Sequence, residues 1–133
     1  MADQPSAEQP IRKVERERRA APAEWFHGRV EMEPIHEGAQ SGVRQGRVHF
    51  HDGAHTNWHL HVGDQVLYFV AGHGMAQDST GTKLDCLPGD IVQVPAGTRH
   101  IHGAAAGENA THIAITTGES IWDNDPRYSS HGG

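Results

Sequence analysis

Four side chains in this sequence stand at spacings that could hold one metal ion. Trp58-His59-Leu60-His61 puts two imidazoles two residues apart. In a strand, such residues point to the same face, about 6.6 Å apart along the chain. Two rings at that separation can lean together onto one ion, with metal–nitrogen bonds of about 2 Å. Val62-Gly63-Asp64 then supplies a tight turn, and a strand over Gln65–Val70 returns alongside. Gln65 opens that strand next to the histidine pair, so its amide oxygen can be a third ligand. The segment Gly89–His100 offers a fourth: Pro95 and Gly97 make a turn, and His100 starts the next strand.

The composition frames this reading. The chain has 133 residues, a single-domain length. It carries 12 His, 16 Gly and 7 Pro, which favours metal chemistry and many tight turns. With 11 Lys+Arg against 17 Asp+Glu the net charge is −6, which argues against a nucleic-acid partner. No apolar run approaches the roughly 20 residues that span a bilayer, so no membrane partner is expected. The first ten residues lack the apolar stretch of a secretory signal, and the expected location is the cytoplasm. The single cysteine, Cys86, excludes an intramolecular disulfide and reads as a buried or idle thiol.

The elements that must position these residues are strands. Short segments rich in β-branched and aromatic residues recur from Trp25 on: 28–32, 42–51, 57–61, 65–74, 91–94, 99–102 and 111–116. The stretch STGTK around Thr80–Lys83 reads as a hairpin turn, and no segment keeps a helical period over three turns. This predicts an all-β sandwich or barrel. Residues 1–22 are expected to be a flexible N-terminal arm, 23–120 the barrel domain, and 121–133 a tail that Trp122 and Tyr128 pin in part to the body. Strand parity directs Leu67 and Phe69 inward with Gln65, and turns Trp58 and Arg99 away from the ligand face. Val92, Val94 and Ile91 read as core or interior wall, and Asp90 as a turn residue. His49, His51 and His55 read as surface or strand-face residues; His49 and His51 share a face, but no third ligand accompanies them.

The spacing of the ligand candidates carries a resemblance. Gly53 to Gly72 reads Gly, five residues, His-x-His, three residues, Gln, six residues, Gly. Gly89 to His100 reads Gly, five residues, Pro-x-Gly, two residues, His. Together they resemble the two motifs of the cupin family. The resemblance implies a double-stranded β-helix, a jelly-roll-like barrel, with one divalent metal per chain in its mouth on His59, His61, Gln65 and His100. Two positions depart from the pattern: Gln65 replaces the usual Glu, and Ala104 the Asn that ends the second motif. Gln keeps a neutral oxygen ligand and removes a negative charge, which leaves a bound metal more electrophilic. Mixed nitrogen and oxygen ligands suit manganese, iron, zinc, nickel or copper.

EWFHGRV, NWHLHVGDQ and PAGTRHIHGAAAGENATHIAI are similar, more narrowly, to small bacterial cupins that include manganese-dependent hydroxynitrile lyases. That likeness makes manganese the first expectation. It implies that His102 and His112 face the metal's cavity, as substrate-contacting or proton-moving groups or as rings that orient a ligand. Three functions follow as expectations: a metal-dependent enzyme doing lyase-type acid–base chemistry on a small organic substrate, a dioxygenase or oxidative C–C cleaving cupin, or a non-catalytic small-ligand-binding module. No cationic lining is foreseen for the cavity, which counts against phosphosugar substrates. A homodimer is expected, because an open barrel has sheet edges to protect, with the arm or the strand after Trp25 reaching the partner.

Overall fold

A computed structural model describes residues 8–37 and 41–125. The first residues of the expected arm, Tyr128 and the end of the tail lie outside the described residues. The strands are β1 (Arg19–Ala20), β2 (Phe26–His27), β3 (Val30–Glu37), β4 (Val43–Phe50), β5 (His55–Thr56), β6 (His59–His61) and β7 (Gln65–Gly72). They continue with β8 (Gly74–Asp78), β9 (Lys83–Cys86), β10 (Ile91–Val94), β11 (His100–Ala104), β12 (Ala110–Thr117) and β13 (Ser120–Trp122). No helix occurs among the described residues, so none is long and apolar enough to cross a membrane.

Two antiparallel sheets form the barrel. One runs β1-β3-β4-β12-β7-β10, the other β13-β6-β11-β5-β2, with β8 joined to β11 and β9 to β8. The expected continuous strand over 65–74 breaks at His73. Gly72 there has φ of 75°, a left-handed conformation that side chains disfavour. The chain turns this corner from the first sheet (β7 on β12) into the second (β8 on β11). The expected turn at Thr80–Lys83 joins β8 to β9, with Asp78 Oδ1 accepting from the Thr80 and Thr82 amides.

Alternation sorts side chains to the core. Gln65, Leu67 and Phe69 are buried along β7, while Val66, Tyr68 and Val70 are less so. Core clusters form around Val30, Val48 and Phe50, and around Leu67, Phe69 and Val94. Cys86 is buried and free, and burial pushes its thiol up to about 11. Ile91 is not a wall residue: it is 60% exposed, because strict alternation puts Val92 and Val94 inside and Ile91 outside. Of the two expectations for His49, surface or strand face, the strand face holds. It is buried on the outer face of β4, with Nε2 2.6 Å from Glu33 Oε1 and Nδ1 3.0 Å from Thr111 Oγ1.

The segment before the barrel lies along β3. Arg19 and Ala20 pair with Met32 and Glu31, and Arg16 donates to both carboxylate oxygens of Glu33, at 2.7 and 3.1 Å. At the other end, β13 carries the sheet through Trp122, past the expected boundary at Ser120.

The corner at Gly72 gives a test. A Cβ there would drive into the Asn109 backbone carbonyl, whereas one at Gly81, also at positive φ, would meet open space. Gly72→Ala is expected to cost more than about 2 kcal/mol, and Gly81→Ala only about 1–2 kcal/mol of strain. Chemical denaturation would measure both; equal losses would contradict the packing at the corner.

Candidate metal centre

The second sheet sets the spacing of the site. β6 and β11 pair antiparallel with His59 opposite His100. His61 shares the face of His59, being two residues on. The ligand nitrogens of His59, His61 and His100 all lie within 4.8 Å of one another. All three rings are buried, at 2%, 5% and 2% exposure. Gln65, at the start of β7, brings its Oε1 to 3.0 Å from His100 Nε2.

Each imidazole is oriented from its far side. His59 Nδ1 donates to the Asn57 carbonyl and His100 Nδ1 to the Thr98 carbonyl, both at 2.8 Å. His61 Nδ1 lies 2.8 Å from Ser120 Oγ. A carbonyl only accepts, so the Nδ1 atoms of His59 and His100 carry the protons and their Nε2 atoms keep lone pairs. Gln65 is fixed likewise, its Nε2 donating to Thr116 Oγ1 at 2.9 Å.

Burial keeps the rings neutral. Desolvation first, then the neighbouring His100, pushes His61 down to about 4 and His59 well below its usual range; desolvation also lowers His100. His61 Nε2 is buried with no hydrogen-bond partner. A separation of 3.0 Å between His100 Nε2 and Gln65 Oε1 is also what two ligands at right angles on one ion would show, with bonds of about 2.1 Å. Oriented, neutral, convergent lone pairs of this kind fit a divalent transition metal.

His59, His61 and Gln65 line a cavity of about 240 Å³. His102 and His112 line the same cavity and are buried, with His102 Nδ1 2.8 Å from His112 Nε2. Their outer atoms, His102 Nε2 and His112 Nδ1, have no hydrogen-bond partner. Desolvation lowers both rings, His112 to about 3. Two neutral rings share one N–H between them, so one outer atom holds a proton and the other a lone pair.

Other expected residues stand apart from the centre. His51 Nε2 lies 2.9 Å from Glu31, and the His55 ring packs against His27 at 5.1 Å between centroids. Arg99 pairs with Asp123 and sits over the Trp58 ring. The sequence did not point to several of the lining residues, Phe26, Met32, Ser120 and Trp122 among them. Trp122 stacks on His59 at 4.2 Å between ring centroids, and Trp25 stacks on Trp122. Arg44 also lines the cavity, which corrects the expectation of a lining without positive charge. Its alternation with Gly46 and Val48 on β4 was the available signal, since all three share one face.

Comparisons with known proteins show the family and the fold. The family model described as a cupin domain matches residues 46–116. The chain belongs to the cupin family. Its sequence is 40% identical over 95 residues to (R)-mandelonitrile lyase of Granulicella tundricola, spanning 71% of this chain and 72% of the relative. It is 36% identical over 69 residues to acireductone dioxygenase of Acidiphilium cryptum, covering 50% of this chain but only 38% of that enzyme. A cupin-like protein from Thermotoga maritima superposes with a TM-score of 0.75 at 28% identity, over 88% of this chain and 94% of the other. The fold is therefore a cupin β-barrel.

The neutral buried rings make stability depend on pH. In the metal-free protein His112 has a folded pKa of about 3 against 6.5 in the unfolded chain, so the unfolded chain takes the proton first. Stability from this group is complete above about 6.5 and is lost as pH falls from there toward 3. The expected slope is about 1.4 kcal/mol per pH unit for each such imidazole. Thermal melts of metal-stripped protein should show Tm falling between pH 7 and 5. A flat profile would mean that the rings are not desolvated.

Proposed function

We propose that this cupin is a metal-dependent enzyme acting on a small organic substrate by lyase-type acid–base chemistry. The observation that carries the reading is the His102–His112 pair, hydrogen-bonded within the cavity that His59, His61 and Gln65 also line. The likeness to a mandelonitrile lyase over most of both chains supports it. His59, His61, Gln65 and His100 would hold the metal, with manganese expected first and iron, zinc, nickel or copper as alternatives. Bound there, a divalent ion supplies Lewis acidity to a substrate oxygen.

The protein's own groups then handle the proton. A proton taken at the free lone pair of one ring lets the shared proton pass to the other, whose outer N–H can leave. The pair is a base at one end and an acid at the other. Burial lowers the basicity of both rings and makes the pair a poor acceptor until negative charge develops beside it. An alkoxide or a departing anion raises its proton affinity at the moment of reaction. The apolar walls, Phe26, Met32, Val48 and Trp122 among them, exclude water from that transfer.

The competing reading is a dioxygenase, after the shorter match to acireductone dioxygenases. Purified protein is expected to carry about one divalent metal per chain by elemental analysis and to cleave mandelonitrile under strict anaerobiosis. His102→Ala and His112→Ala should lower kcat by about 10²–10⁴-fold with metal content unchanged. Oxygen consumption stoichiometric with turnover would overturn the lyase reading in favour of the dioxygenase. We also propose a homodimer, since β1 and β10 leave the first sheet with two edges; a monomer mass by light scattering would refute it.

A further inference from the structure

We infer that the cavity contains an anion subsite in which Arg44, tied to Ser120, takes the carboxylate of a 2-hydroxy or 2-oxo acid. The inference rests on the metal-enzyme reading of the same site and extends its ligands from a neutral cyanohydrin to small acids with oxygen on the same carbon.

Charge is the first argument. Among the described residues lining the cavity, Arg44 is the one charged side chain. No Asp or Glu lines it with them, and the candidate ligand set of three neutral imidazoles and one amide carries no negative charge either. A divalent ion on those ligands would keep its full charge, and Arg44 adds one more at the same cavity. Where apolar walls hold water back, the ion's uncompensated charge would be costly and a ligand that brings negative charge is favoured, with Arg44, itself exposed, adding attraction. With Glu in place of Gln65, part of that charge would be cancelled by the protein itself.

Position is the second. Arg44 Nη2 donates to Ser120 Oγ at 3.3 Å, and that hydroxyl lies 2.8 Å from His61 Nδ1. The guanidinium is thus two hydrogen bonds from a candidate ligand ring. A short substrate can reach both. A guanidinium offers five donors in a planar fork. Ser120 occupies one of them, and a carboxylate suits a pair. Arg44 lines the cavity and is exposed to solvent, so an anion can meet it without its first being buried.

Shape is the third. At about 240 Å³ the cavity lies below the usual range for drug-sized ligands, so it takes a small molecule. Phe26, Met32, Val48 and Trp122 offer an apolar wall for a ring or short alkyl body. A small acid with oxygen on the carbon next to its carboxylate places one oxygen toward the metal ligands, the carboxylate toward Arg44 and Ser120, and its body on that wall.

Calorimetric titration of metal-loaded protein with mandelate, methyl mandelate and benzoate tests this. Mandelate should bind at least about tenfold more tightly than its neutral methyl ester, as a charge-assisted contact implies. It should also bind more tightly than benzoate, which lacks the 2-oxygen. Arg44→Gln should erase the preference over the ester and keep the wild-type metal content, and Arg44→Lys should retain part of it. Equal binding of mandelate and ester, or a preference that survives Arg44→Gln, would overturn the subsite and leave the metal-enzyme reading standing. Benzoate binding as well as mandelate would overturn the two-point contact. Wild-type protein that takes up no divalent metal would overturn the reading itself, and this inference with it.

Discussion

The pairing of β6 with β11 is the constraint on which the site depends. It sets the backbones of His59 and His100 opposite one another in the second sheet, and alternation then brings His61 to the same face. Neither strand is long: β6 has three residues and β11 five. Their register is held from both sides. β13 places Trp122 opposite His59 and Ser120 opposite His61, and β8 runs along the whole of β11. A one-residue slip of β6 would turn both histidines out of the cavity and bring Leu60 in. The partners of the Nδ1 atoms depend on the same register. Asn57 and Thr98, whose carbonyls hold His59 and His100, are the residues two before each ring. The backbone that places the rings therefore also fixes which nitrogen faces the site.

That arrangement carries a standing cost. Buried polar atoms are ordinarily satisfied, and each exception costs about 1–3 kcal/mol. His61 Nε2, His102 Nε2 and His112 Nδ1 are all buried without partners, and all belong to the site or its neighbouring pair. The structural polar groups are satisfied: Glu33 by Arg16 and His49, Thr56 by the His102 amide. Unmet hydrogen-bonding capacity is thus concentrated where a ligand would enter. A core designed for stability alone would fill these positions with apolar side chains.

Much of this was legible because two periodicities coincide. The His-x-His spacing and the alternation of Gln65, Leu67 and Phe69 both follow from the two-residue repeat of a strand, so ligand face and core face could be read together. The strands over 57–61, 91–94 and 111–116 were visible for the same reason. What was not legible depends on which strands become neighbours. Nothing local to Gly72 and His73 shows that the chain there changes sheets. His49 reads as a surface or strand-face residue, and its burial comes from Glu33 and the arm, which lie in other segments. Ile91 was misplaced because its hydrophobicity was weighed above its parity. Arg44 escaped attention because a lone arginine in a strand is ordinarily a solvated charge. Its parity with Gly46 and Val48 on β4 turns it to the cavity, where Ser120 of β13 meets it.

The exchange of Glu for Gln at position 65 ties these observations together. A carboxylate there would have drawn a proton or a cation in its own right and raised the proton affinity of the nearby rings. The amide does neither. It leaves His59, His61 and His100 uncharged, with burial as the leading cause of their depressed basicity. Its Oε1 stands beside His100 Nε2 while its Nε2 donates to Thr116, on the strand that carries His112. One neutral residue therefore links the candidate metal ligands to the histidine pair through β12. The positive charge of a bound ion would then fall on substrate rather than on protein. A site built in this way spends its electrostatics on whichever anion the reaction creates or brings, which is the condition under which two poorly basic histidines become useful.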